Sequence, residues 1–219
     1  YQNENRIGES IERVLKEGIV DRADLFITSK VWNDMHNRVK ESCEKSLKDL
    51  RVSYLDLYLV HWPFPNYHAP GCDGDSRNPD SRPFSVTEFL NTWRQCEALV
   101  EEGRVKYIGM SNMTIPKLEA VLPLCRIKPA AIEMELHPCF QQPELFDYCR
   151  AHGIEVVGFC PIGSPERPER DKMPEDIADI ELPELKAIAA AHGVHPAVIC
   201  IKWAVQRGAS PIPFSLKEK

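Results

Sequence analysis

The sequence has no apolar run approaching the roughly 20 residues that a membrane-spanning helix needs, and no signal-peptide pattern precedes Tyr1, so no membrane partner is expected. It has no Cys-x-x-Cys pair. Its eight cysteines (Cys43, Cys72, Cys96, Cys125, Cys139, Cys149, Cys160 and Cys200) are scattered, several within apolar segments. That usage fits buried reduced thiols in a cytoplasmic protein better than a disulfide framework or a zinc site, and no metal is expected. A basic face is also missing: 27 Lys+Arg stand against 33 Asp+Glu, the formal charge is −6, and the two signs interleave along 9–17 and 39–49. Nucleic acid is therefore not an expected partner. Finally, no Gly-x-Gly-x-x-Gly turn joins a strand to a helix. The tightest glycine pair, Gly71 and Gly74, falls in a loop, which disfavours an open dinucleotide-binding sheet.

What the chain does have is alternation. Its 43% apolar and 27% charged residues are ordinary for a globular domain, and its 219 residues suffice for one well-buried core. Helix-period segments at 7–17, 38–50, 86–102, 115–125, 143–152, 182–192 and 196–207 alternate with strand-like runs at 25–30, 55–61, 107–110, 130–135, 155–159 and 211–215. In the first helix Ile7, Ile11, Val14 and Leu15 form one stripe and Gly18 stops it. The stretches 63–83 and 164–180, rich in proline and charge, read as long loops. Strict β/α alternation predicts a parallel sheet, and a (β/α) barrel is favoured over a doubly wound sheet. A closed barrel takes eight strands and about 250 residues. Six strands therefore predict a single barrel domain over 1–219 that is a fragment of a longer chain.

The chemistry lies at strand exits. The run 55–61, Leu-Asp-Leu-Tyr-Leu-Val-His, delivers His61 and then Trp62; the run ending Ile-Thr-Ser-Lys delivers Lys30 and then Val31 and Trp32. Catalytic groups of parallel α/β folds gather at the carboxyl ends of strands. Each residue taken singly has a plainer reading. Lys30 could be a solvated strand end, Ser111 and Asn112 a helix N-cap, and Phe159 and Phe214 core residues. His137, His152, His192 and His195 read as loop or helix-end residues, and Cys160 has no histidine neighbour in sequence to activate it.

Six segments alter that balance: Tyr-Gln-Asn-Glu-Asn-Arg-Ile-Gly (1–8), Ile-Thr-Ser-Lys-Val-Trp-Asn (27–33), Leu-Asp-Leu-Tyr-Leu-Val-His-Trp-Pro (55–63), Gly-Arg-Val-Lys-Tyr-Ile-Gly-Met-Ser-Asn (103–112), Glu-Leu-His-Pro (135–138) and Pro-Ile-Pro-Phe-Ser (211–215). In this order the chain resembles the aldo-keto reductases over essentially its whole length. The resemblance implies a (β/α)8 TIM barrel lacking here its first two strands and its C-terminal segment. It implies reduction of an aldehyde, aldose or sugar phosphate by hydride from a nicotinamide cofactor, with the protein supplying orientation and electrostatics. A proton donor must stand by the oxygen as charge builds there. Tyr1 matches that donor, Lys30 the ammonium that lowers the phenol's pKa from its usual ~10, and His61 the group that orients the carbonyl. Trp32 and Trp62 would wall the substrate pocket. The family's aspartate, a few residues before the tyrosine, would lie upstream of Tyr1.

Cofactor positions carry over by the same resemblance. Ser111 and Asn112 match residues that hold the nicotinamide carboxamide. Glu133 stands where the family usually has Gln, and Phe159 where an aromatic ring stacks on the nicotinamide. Ile162, Gly163, Ser164 and Glu166 match the loop over the pyrophosphate. The last segment reads Ile-Pro-Phe-Ser in place of the common Ile-Pro-Lys-Ser, so Phe214 and Ser215 stand where a lysine and serine are expected. Lys217, or less favourably Lys219, could replace the lysine that meets the 2′-phosphate. A Phe here resembles the sugar-phosphate reductase branch. NADPH is the expected cofactor, with NADH open. The expected partner is a small carbonyl substrate, and the expected state a monomer or weak oligomer. The alternative is a nicotinamide-binding regulatory or assembly subunit without turnover.

Overall fold

The computed structural model describes residues 2–65, 83–163 and 178–215. They form two compact units, Tyr1–Ala130 and Ala131–Lys219. The first holds helix α1 (Glu4–Lys16), strand β1 (Thr28–Val31), α2 (Val39–Leu50), β2 (Leu55–Val60), α3 (Val86–Glu101), β3 (Val105–Ser111) and α4 (Ile115–Val121). Strands β1, β2 and β3 pair in parallel in that order, with Lys30 beside Leu59, Val31 beside Val60 and Val60 beside Met110. Every residue of β2 is buried, as expected of a central parallel strand covered on both faces.

Asp56, the one charged residue of β2, survives burial because Arg22, Lys106 and the Ile27 N–H each donate to it at 2.9 Å. That contact explains a departure from the sequence reading. Residues 22–24 are a 3₁₀ turn and β1 begins only at Thr28, because the Ile27 N–H goes to a carboxylate. The apolar stripe of α1 also differs from expectation. Ile7 is 43% exposed, and the helix's buried residue is Gly8, where a Cβ would fall 2.1 Å from the Asp49 carbonyl oxygen on α2. The start of α1 is pinned by Glu4, which accepts from Ser29 Oγ (2.6 Å) and Ser46 Oγ (2.9 Å).

The second unit holds β4 (Ala131–Glu135), α5 (Pro143–Ala151), β5 (Glu155–Phe159), α6 (Pro183–His192), α7 (Pro196–Gln206) and β6 (Ser210–Pro211). Its strands also pair in parallel in chain order, with Glu133 beside Val157, Glu135 beside Phe159 and Gly158 beside Pro211. Each of its three helices starts at a proline, whose missing N–H costs nothing in the first turn. Strand β6 is shorter than the predicted 211–215: Pro211 and Pro213 have no N–H to give, and Ile212 makes the last ladder bond, to Gly158 O at 2.9 Å. The α/β class with parallel strands is as expected. Among the described residues, no single helix is long and apolar enough to cross a membrane.

Candidate active site

In the first unit, the register places Lys30 and His61 at the exits of neighbouring strands, and the His61 N–H reaches Val31 O at 3.3 Å. The His61 imidazole is half-buried, and its pKa is held down to about 3 by burial and then by the Lys30 ammonium. The ring is thus neutral across the physiological range, with one donor and one acceptor nitrogen. The Trp32 ring meets it edge-on, 4.8 Å between centroids at 63°; Trp62 stands 6.5 Å away, with Phe64 5.9 Å beyond Trp62. An apolar ledge of this kind weakens competition from water for whatever the imidazole binds.

Strand β3 ends beside them. Ser111 is fully buried, and Asn112 adopts a left-handed φ of 58°, a conformation that asparagine tolerates better than most residues. Its side-chain Nδ2 donates to His61 O (2.9 Å) and Ser111 Oγ (3.2 Å). The N-cap reading of this pair is therefore corrected: the cap of α4 is Thr114, and Asn112 ties the exits of β2 and β3 together.

In the second unit, Glu133 is buried within β4 and Phe159 is half-buried at the end of β5. Cys160 turns the chain with φ 51°, and the Gly163 N–H closes the turn on Cys160 O at 2.9 Å. Ile162 and Gly163 are half-buried, Phe214 is 79% exposed and Ser215 is exposed. Tyr1, Ser164, Glu166, Lys217 and Lys219 lie outside the described residues.

One residue that the sequence reading passed over, Asp179, is prominent in this unit, together with His137, which read as a loop or helix-end residue. Asp179, on the 3₁₀ turn before α6, is wholly buried; it accepts from the Cys139 N–H at 3.1 Å and lies 2.9 Å from His137 Nδ1. Glu135 Oε1 stands 3.4 Å from the other ring nitrogen. Burial opposes a charge on His137, but the two carboxylates outweigh it and lift its pKa to about 9. The motif 135–138 contained His137, yet its partner is distant in sequence and sits in a stretch that read as loop. His195 and His152 are as plain as expected: His195 caps α7, and His152 closes α5 through Tyr148 O at 2.8 Å.

Lysine and neutral histidine at adjacent exits of a parallel sheet, backed by tryptophan, put the candidate site at the strand exits of a parallel α/β fold. The family comparison gives the same class. The aldo/keto reductase family model matches residues 1–219, and the chain belongs to that family. Its fold is the family's (β/α)8 barrel class, represented here by six parallel strands among the described residues. It is 39% identical over 220 residues to aldo-keto reductase family 1 member A1 of Xenopus tropicalis, covering 99% of this chain and 66% of that one. It is 37% identical to the NADPH-dependent D-xylose reductase of Candida boidinii, covering 100% and 71%. The solved aldose reductase of Schistosoma japonicum superimposes with a TM-score of 0.83 at 34% identity, covering 99% of this chain and 68% of that one. The chain thus spans about two thirds of the length of the relatives it matches.

Proposed function

We propose that this chain carries out NADPH-dependent reduction of a small aldehyde, aldose or sugar phosphate to its alcohol. The observation that carries the reading is the neutral His61 held beside Lys30 at paired strand exits. A neutral imidazole can orient a carbonyl oxygen by donating one hydrogen bond, whereas an imidazolium beside an ammonium would be strongly disfavoured. Lys30 favours phenolate over phenol in Tyr1, which makes that phenol a better proton donor to the oxygen as it gains charge. Trp32 and Trp62 wall the pocket against water.

Each unit, taken by itself, offers groups suited to a nicotinamide dinucleotide. Ser111 and Asn112 offer a buried hydroxyl and an amide, Phe159 an aromatic ring at a strand end, and Gly163 a turn without a side chain. Glu133 accepts from a carboxamide, and Ile162, Ser164 and Glu166 belong to the pyrophosphate loop. When bound, the cofactor supplies the hydride. Ser215 and Lys217 are assigned to the 2′-phosphate end. Phe214, where the family's lysine is expected, leaves room for NADH, so both cofactors belong in the assay. The scattered cysteines, with no Cys-x-x-Cys pair, are what a reducing, cytoplasmic setting would suit.

The test is NADPH or NADH oxidation followed by absorbance with glyceraldehyde and with mannose 6-phosphate. Tyr1→Phe should abolish turnover while leaving cofactor affinity nearly intact; a variant that still turns over, or that no longer binds NADPH, removes Tyr1 from its role. Cofactor binding without oxidation of either cofactor would instead favour a regulatory or assembly subunit.

A further inference from the structure

Asp179 poses a question that stability alone does not answer. A wholly buried ion pair gives little net stability, and apolar residues of similar volume commonly do as well or better. Yet this carboxylate organises three separate segments of the second unit. Oδ2 accepts from the Cys139 N–H just beyond β4, at 3.1 Å, and Oδ1 faces His137 Nδ1 at 2.9 Å. The His137 contact falls off the hydrogen-bond line, so it acts as charge attraction. Oδ1 also lies against the turn after β5: a Cβ on Gly163 would stand 2.3 Å from it. The segment leaving β4, the turn leaving β5 and the entry to α6 therefore meet at one side chain. His137 is in turn held by Glu135, the last residue of β4 and the register partner of Phe159 on β5. Among the described residues, the other ionisable groups beside the pair are Cys139, Cys200 and Glu184, none of them a cation, so His137 is the counter-charge they leave to this carboxylate.

We propose that Asp179 is a positioning residue for the nicotinamide cofactor: its carboxylate locks the turn at Ile162 and Gly163 against the exit of β4, so that these residues, Glu133 and Phe159 meet the dinucleotide already in place. The proposal rests on the cofactor reading above. A preorganised surface binds more tightly because ordering it costs nothing at the moment of binding.

The experiment measures the Kd of NADPH by quenching of intrinsic tryptophan fluorescence, together with Tm, for the wild-type chain, Asp179→Leu, Asp179→Asn and a control, Glu97→Gln. Glu97 is an equally buried carboxylate in the first unit, where it accepts from the Arg126 and Ile127 N–H groups at 2.7 and 2.9 Å. Asp179→Leu should weaken NADPH binding about tenfold, the scale of one lost charge-assisted contact. Asp179→Asn, which keeps an acceptor for Cys139 but loses the charge facing His137, should fall between. Glu97→Gln should lower Tm and leave Kd where it was. The proposal is overturned if Asp179→Leu binds as the wild type does, or if Glu97→Gln weakens binding as much, since general loosening then explains both. Should Asp179→Leu fail to fold, Asp179→Asn decides: wild-type affinity overturns the proposal and weaker affinity sustains it. A wild-type chain that binds no NADPH defeats the cofactor reading itself, and this proposal with it.

Discussion

The histidines divide by what surrounds them, and each division has a sign. His36 is buried, with its pKa lowered to about 4 by burial against the weaker pull of Glu88 and Asp34, and His61 is held near 3. Unfolded, both take up protons near pH 6.5; folded, they do not. Stability should therefore fall as pH drops below 6.5, the His36 share amounting to on the order of 3 kcal/mol once pH has passed 4. His137 has the opposite sign: its stabilisation is complete below pH 6.5 and is lost as pH rises through about 9. Proton NMR should find the His36 and His61 rings neutral from about pH 5 to about pH 8 and the His137 ring charged throughout. A His61 that titrates near 6.5 would remove the electrostatic basis of the proposed site. The positions of His61 and Lys30 were legible in sequence because a strand's exit is a local pattern. The charge state of His61 was not, since burial and an ammonium on another strand set it. Nor was the role of His137, whose partner Asp179 lies 40 residues beyond Cys139.

At the scale of elements, boundaries set by local chemistry were readable and those set by distant contacts were not. Helix α3 starts where Ser85 Oγ accepts from the Glu88 N–H at 3.4 Å, and α6 stops at Gly193, whose φ of 63° suits glycine. Strand β1 begins late because a carboxylate on β2 takes the N–H of Ile27, and no local pattern announces that. The crossing of α1 and α2 is the sharpest case. Four apolar residues suggested the packing stripe, but closeness is decided at Gly8. Gly8→Ala should force the helices apart and cost about 2 to 4 kcal/mol, read as a lower Tm or denaturation midpoint. A variant as stable as the wild type would mean that α1 does not cross α2 where the geometry puts it.

For the molecule as a whole, alternating strand and helix periods were enough to name a parallel α/β fold, because that class is written in periodicity along the entire chain. The division into units ending at Ala130 and starting at Ala131 was not legible, since neither composition nor a linker marks it. Net charge belongs to this scale too. At −6, with a pI near 5.7, the chain should bind an anion-exchange column at neutral pH, pass through heparin unretained, and be least soluble near pH 5.7. Retention on heparin at physiological salt would reveal a basic face that the interleaved charges do not suggest.

Gly8 and Gly163 hold their lineages to glycine for different reasons. The obstacle at Gly8 is a main-chain oxygen, that of Asp49, and no replacement at position 49 takes it away. The nearest obstacle at Gly163 is a side-chain oxygen, that of Asp179, which a shorter residue at 179 would withdraw, but the φ of 76° at Gly163 strains any side chain whatever the space. Among descendants of this chain, position 8 should stay glycine because of its neighbour's main chain and position 163 because of its own, a change at 179 being no release for 163.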